Sequence, residues 1–179
     1  MSFVSSRAWS AGEPPLLGRP PPFHSSTQQL SCVTMIPGFT PEGYLPPGVH
    51  VATWEEVSKR FGTNRHRRHL LHGLKEALVQ LRLAGCRRVY LDGSFVTSEP
   101  TPKDFDLCYE LRGMDSLFLD PVFFDSRAGR ASQKAKYNGE LFPASMTAKP
   151  GFTFFQFFQV DKQTGERKGI VAIDLGVQP

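Results

Sequence analysis

"LDGSFVTSEPTPKDFDLCYE", residues 91–110, decides how the rest of the chain is read. A short apolar run, Val89-Tyr90-Leu91, stops at Gly93-Ser94. Beyond a proline-studded loop, Asp104 and Asp106 interrupt a second strand-like run built on Phe105, Leu107 and Tyr109. Residues two apart on a strand share a face, so the two carboxylates stand side by side while Phe105 and Leu107 enter the core. Unpaired like charges at that separation repel. A divalent cation that prefers hard oxygen ligands, Mg²⁺ or Mn²⁺, makes the arrangement favourable. A glycine directly after a strand lets backbone N–H groups approach a ligand closely, and a turn beginning at Ser94 aims those donors and a hydroxyl at phosphate oxygens. Asp92, beside that turn, reads as its cap.

A third acid, Asp174, lies in "IVAID" between Ile173 and Leu175, where an unpaired charge is expensive. Three strand-borne carboxylates near a phosphate-binding turn are the parts of two-metal phosphoryl transfer, in which ions roughly 4 Å apart act as Lewis acids. Asp104 and Asp106 would bridge both ions, and Asp174 would hold the ion on the nucleophile side and serve as general base. The expected metal ligands and catalytic residues are therefore Asp104, Asp106 and Asp174, with Gly93, Ser94, Lys103 and Lys134 contacting the nucleotide. Arg127, Arg130, Lys136 and Lys168 are further candidates for the triphosphate.

Around this centre the chain organises itself by capping and periodicity. Thr53, with Glu56 three residues on, forms a capping box for a short helix to Phe61 that Gly62 closes. Asn64 caps a second helix whose Leu70, Leu71, Leu74, Ala77, Leu78 and Leu81 make one apolar face ending at Gly85. The first turns of that helix carry Arg65, His66, Arg67, Arg68, His69 and His72, either a solvated face or a phosphate or RNA contact surface. Glu99-Pro100-Thr101-Pro102 is a loop, because proline removes donors and restricts its predecessor. Ser126 to Tyr137 reads as a basic helix, Phe152 to Val160 as an aromatic helix or strand packing on a sheet, and "KGIVAIDLGV" as a last strand.

The 179 residues fit one domain. Residues 1–34, rich in Pro, Ser and Gly, read as a disordered or dispensable tail ahead of a domain over 35–179. A net charge of +4 and a sequence pI near 9.1 favour polyanionic partners only weakly. Three cysteines, Cys32, Cys86 and Cys108, make neither a disulfide framework nor a CxxC zinc site, and point to a cytoplasmic home. No apolar run reaches the roughly 20 residues of a membrane helix.

"GSFVTSEPTPKDFDL" followed by "IVAIDL" resembles the minimal nucleotidyltransferases of the DNA polymerase beta superfamily, whose signature is a Gly-Ser, a loop, an Asp-x-Asp and a later strand Asp. Gly93, Ser94, Asp104 and Asp106 match that signature closely and Asp174 more loosely; the nine residues between Ser94 and Asp104 are at the short end for the family. "PPGVHVATWEEVSKRFGTN", "LDGSFVT" and "KGIVAIDL" are similar to an uncharacterised bacterial group of such proteins linked with toxin-antitoxin or mobile-element loci. The resemblance, over about residues 35–177, implies an α+β fold with a small mixed sheet and flanking helices. It also implies Mg²⁺-dependent transfer of an NMP, AMP foremost, from an NTP to a protein or RNA hydroxyl. Relatives act as antitoxins that AMPylate a partner toxin, or as toxins that modify tRNA ends. The other expectation is a catalytically inactive nucleotide-sensing or partner-binding module with the same fold.

Overall fold

The computed structural model describes residues 36–176, so the tail read over residues 1–34 lies outside the described residues. In chain order the elements are β1 (Gly48–Val51), α1 (Trp54–Phe61), α2 (Arg65–Leu83), β2 (Arg88–Asp92), β3 (Phe105–Tyr109), α3 (Ala131–Tyr137), β4 (Gly139–Pro143), β5 (Thr147–Lys149), β6 (Phe152–Thr153), α4 (Phe154–Phe158) and β7 (Gly169–Asp174). Five strands form a mixed sheet in the order β1-β7-β2-β3-β4, and β5 and β6 pair separately. Strand β2 is antiparallel to both neighbours, while β1 runs parallel to β7 and β4 parallel to β3. The expected α+β class with a mixed sheet and flanking helices is what the chain adopts.

The period of two along each strand sorts the residues onto two faces. One face carries Val89, Leu91, Phe105, Leu107, Tyr109, Leu141, Val171 and Ile173 into a core with the apolar side of α2. All of Leu70, Leu71, Leu74, Ala77, Leu78 and Leu81 are buried there, as their spacing requires. Each fully buried leucine contributes about 1.5–3 kcal/mol, so this face is the main tie between helix and sheet. Both caps form as read: Thr53 and Glu56 make the reciprocal capping box, and the Asn64 side chain accepts from the Arg67 N–H.

The other face carries Tyr90, Cys108, Phe142, Ile170 and Ala172, covered by α4 through buried Phe158 and partly buried Phe154, Phe155 and Phe157. Phe142 meets Phe154 at 4.4 Å and Phe158 at 5.4 Å between ring centroids. The aromatic run from Phe154 to Phe158 is thus sheet packing, while Phe152 is exposed. Cys86 and Cys108 are buried thiols without a disulfide.

The structure departs from the sequence reading in two places. The basic helix expected from Ser126 begins only at Ala131, because Ala128 (φ 46°) and Arg130 (φ 59°) take left-handed conformations that a continuous helix excludes. Strands β1 and β4 were not expected: "GVHV" follows two prolines, and "GELFP" ends in one. Both are edge strands of the sheet, where proline is tolerated.

Candidate functional site

Register brings the acids together. Asp92, at the end of β2, is the direct partner of Asp106 on β3. On its other side Asp106 is the partner of Glu140 on β4. Direct partners on adjacent strands share a face with Cβ atoms about 4.5–5.5 Å apart, so three carboxylates form one rung across β2, β3 and β4. Asp104 lies just before β3, close enough to add its charge to those acting on Asp106. Like charges so placed repel, and the fold answers with lysines on either side. Lys168 pairs with buried Asp92, and Lys134 Nζ sits 3.0 Å from Asp104 Oδ2 and 2.5 Å from Glu140 Oε1.

Asp106, in the middle, is left out. Among the described residues no hydrogen bond or ion pair reaches its carboxylate. Burial first, then the charges of Asp92, Asp104 and Glu140, push its carboxyl up to about 7, and Lys162 opposes them only in part. Burial likewise raises the Asp92 carboxyl, against the pull of Lys168. Hydrogen bonds to Glu140 and Asp104 raise the Lys134 ammonium above its ordinary value.

The Gly-Ser turn lies against this rung. Gly93 takes φ +79°, and a Cβ there would stand 2.1 Å from Asp106 Oδ2. The glycine is therefore needed for its left-handed backbone and for the room it leaves a carboxylate. Ser94 opens a short 3-10 turn through Val96 and is exposed. A cleft of about 670 Å³ runs over the turn, bordered by Asp92, Gly93, Ser94, Asp106, Lys162 and Lys168, with Tyr44 and Phe157 among the other lining residues.

Part of the basic start of α2 is turned to the loop ahead of β3. Arg67 is buried and donates to the carbonyls of Phe61 (2.6 Å), Glu99 (2.5 Å) and Phe95, while His66 Nε2 meets the Pro102 carbonyl at 2.5 Å and Asn64 Nδ2 donates to Pro100 at 2.8 Å. These contacts hold the whole loop between the Gly-Ser turn and the Asp-x-Asp strand. A positive group at a helix N-terminus opposes the macrodipole, and here that cost secures the loop. Arg65, Arg68, His69 and His72 remain exposed.

Helix α3 is fixed with similar economy. Its buried Gln133 donates to the Phe123 carbonyl at 3.1 Å and accepts from the Leu141 N–H at 2.8 Å. At Gly73 of α2 a Cβ would lie 1.9 Å from the Tyr137 carbonyl oxygen, so only glycine lets the two helices approach. Lys134, next to Gln133, is aimed at the acids as a result. Tyr137, considered for nucleobase stacking, is buried and donates to Asp120 at 2.6 Å.

Of the expected site residues, Gly93, Ser94 and Asp106 border the cleft, and Asp104 and Lys134 pair with each other beside Asp106 without bordering it. Asp174 does neither, and its expected place as third ligand is corrected here. It is the register partner of Arg88 at the far end of β2, with its Oδ2 3.0 Å from Arg88 Nη2 and its Oδ1 on Arg88 Nε. Arg88 and Asp92 are four residue steps apart on β2, about 13 Å along the strand. The antiparallel run of β7 against β2 is the cause: the end of β7 meets the start of β2. Lys103 is exposed and does not border the cleft. Arg127 pairs with Asp125, Lys136 with Asp120, and Arg130 lies over the Phe142 ring at 4.0 Å. Sequence reasoning missed Glu140, Lys162 and the burial of Asp92. Only Asp92 carried a signal, an acid directly preceding the Gly-Ser turn.

Among the described residues no three His, Cys, Asp or Glu side chains stand as a ready-made metal cage. The donors around Asp106 are nevertheless hard carboxylate oxygens, the central one has no counter-ion of its own, and an ammonium bridges two of the others. That chemistry fits a hard divalent cation.

No curated protein and no solved structure matches the chain. Residues 37–174, which span the sheet, the rung and the cleft, match the family described as "Family of unknown function (DUF6932)", and the chain belongs to that family.

Proposed function

We propose that the protein is a divalent-cation-dependent nucleotidyltransferase of the polymerase-beta type, moving an NMP from an NTP to a hydroxyl of a protein or RNA. The observation that carries this is the uncompensated Asp106 carboxylate, set between Asp92, Asp104 and Glu140 and directly against the Gly93 turn. Asp104, Asp106 and Glu140 would hold Mg²⁺ or Mn²⁺, with Glu140 taking the part first given to Asp174. When bound, such an ion supplies Lewis-acid stabilisation of phosphoryl oxygens and lowers the pKa of an attacking hydroxyl. The protein's own groups do the rest. Gly93 and Ser94 present backbone and hydroxyl donors to the nucleotide, Lys162 and Lys168 put positive charge along the cleft, and the cleft volume lies within the range of small-molecule sites.

The test is transfer of label from α-labelled NTP with Mg²⁺, alone and with candidate protein and RNA acceptors. Asp106→Asn and Glu140→Gln should each abolish transfer, since each removes a charged donor from the same set. Transfer that persists in Asp106→Asn at the wild-type rate overturns the proposal. The second reading, a nucleotide-sensing or partner-binding module, is favoured by one feature: Lys134 already neutralises Asp104 and Glu140. Nucleotide binding with no transfer to any acceptor would decide for it.

A further inference from the structure

Lys134 holds a position that its surroundings do not require for folding. Its side chain is 41% exposed, and its two ion pairs, to Asp104 and Glu140, involve partners 25% and 21% exposed. Pairs between groups this exposed contribute little to stability. Helix α3 is instead anchored by Gln133 and by its close approach to Gly73. What the ammonium does contribute is electrostatic: it lies between two of the three acids that flank Asp106 and leaves Asp106 itself without a partner.

We infer that Lys134 is an internal counter-ion that pairs with Asp104 and Glu140 where a divalent cation would bind, and must withdraw when one does. The inference rests on the cation site proposed above. Two observations carry it. The ammonium bridges Asp104, two residues before Asp106, and Glu140, the partner of Asp106 on β4. The lysine is long and 41% exposed, so it can swing into solvent without unpacking the core. The consequence is a built-in threshold: the site stays closed to a cation until the ion's attraction for three carboxylates exceeds that of the ammonium for two.

The experiment is titration of Mn²⁺ into the full chain without nucleotide, read by the electron paramagnetic resonance of free Mn²⁺. Wild type, Lys134→Gln, Lys134→Arg and Asp106→Asn are compared. Removing a unit positive charge about one ion-pair distance from the cation should tighten Mn²⁺ binding at least about tenfold in Lys134→Gln. Lys134→Arg keeps the charge and should stay near wild type, and Asp106→Asn should lose binding. If wild type binds Mn²⁺ through Asp106 and Lys134→Gln binds no tighter, the counter-ion role is overturned while the cation site stands. If neither wild type nor Lys134→Gln binds Mn²⁺, both fail together. Circular dichroism of each variant separates altered binding from altered folding.

Discussion

Replacing Asp106 by Asn tests the electrostatics of the rung without reference to any reaction. The folded carboxyl titrates at about 7, against 3.8 for its ordinary value. At about 1.36 kcal/mol for each tenfold change, that difference sets an upper limit of about 4 kcal/mol. The group borders a cleft open to water, and screening lowers the expected effect to about 2 kcal/mol. The direction is the reverse of a salt-bridged aspartate. Because the folded value lies above the unfolded one, the protonated acid's contribution is fully present below pH 3.8 and is lost as pH rises through about 7. Between pH 5 and 8 the wild type should therefore lose about 1.3 kcal/mol relative to Asp106→Asn, which has no proton to release. The assay is urea unfolding of both proteins in EDTA across that range. Addition of Mg²⁺ at pH 8 should restore the wild type by mass action and leave the variant unmoved. Parallel pH curves for the two proteins would mean that the Asp106 carboxylate is adequately compensated, and the case for a cation there would fall with it.

Three further outcomes follow from the same geometry. Gly93→Ala forces a methyl to within 2.1 Å of Asp106 Oδ2 at φ +79°, so it should cost at least about 1–3 kcal/mol in denaturant unfolding and abolish nucleotide transfer. Arg67→Met removes three charge-assisted hydrogen bonds to the carbonyls of Phe61, Phe95 and Glu99; a loss of about 3 kcal/mol is expected, and limited proteolysis should find the 95–102 loop newly cleavable. Asp174→Asn breaks only the Arg88 pair, so unfolding should shift by roughly 1 kcal/mol or less while transfer stays at the wild-type rate. A complete loss of transfer in that variant would contradict the separation of Asp174 from the cleft.

Local chemistry made much of this molecule readable in advance. The capping box at Thr53, the Asn64 cap, the leucine face of α2 and the alternation of Phe105, Leu107 and Tyr109 each depend on neighbours within one or two turns, and each forms as its spacing dictates. The strand ends at Gly93-Ser94 and Asp104-Phe105-Asp106 were legible for the same reason, since charge, glycine and apolar alternation conflict there unless a ligand or a partner intervenes. The basic start of α2 was legible as a cost but not in its use. Its resolution lies about 30 residues downstream, in the carbonyls of the loop that Arg67 and His66 hold.

Glu140 and Asp174 exchanged parts for a reason that no single stretch of sequence contains. Asp174 sits in a strand of evident apolar character, and its charge called for a partner; the partner is Arg88, which the chain places beside it only because β7 runs antiparallel to β2. Glu140 sits in "YNGELFP", where nothing marks a strand, and it acquires its significance from β4 lying parallel to β3 with Glu140 at the height of Asp106. A charged residue on a buried strand thus announces that compensation exists but not what supplies it. Strand order and direction decide between a private ion pair and a shared site. In this sheet they give Asp174 a guanidinium of its own and leave Asp106, flanked by three other acids, with none.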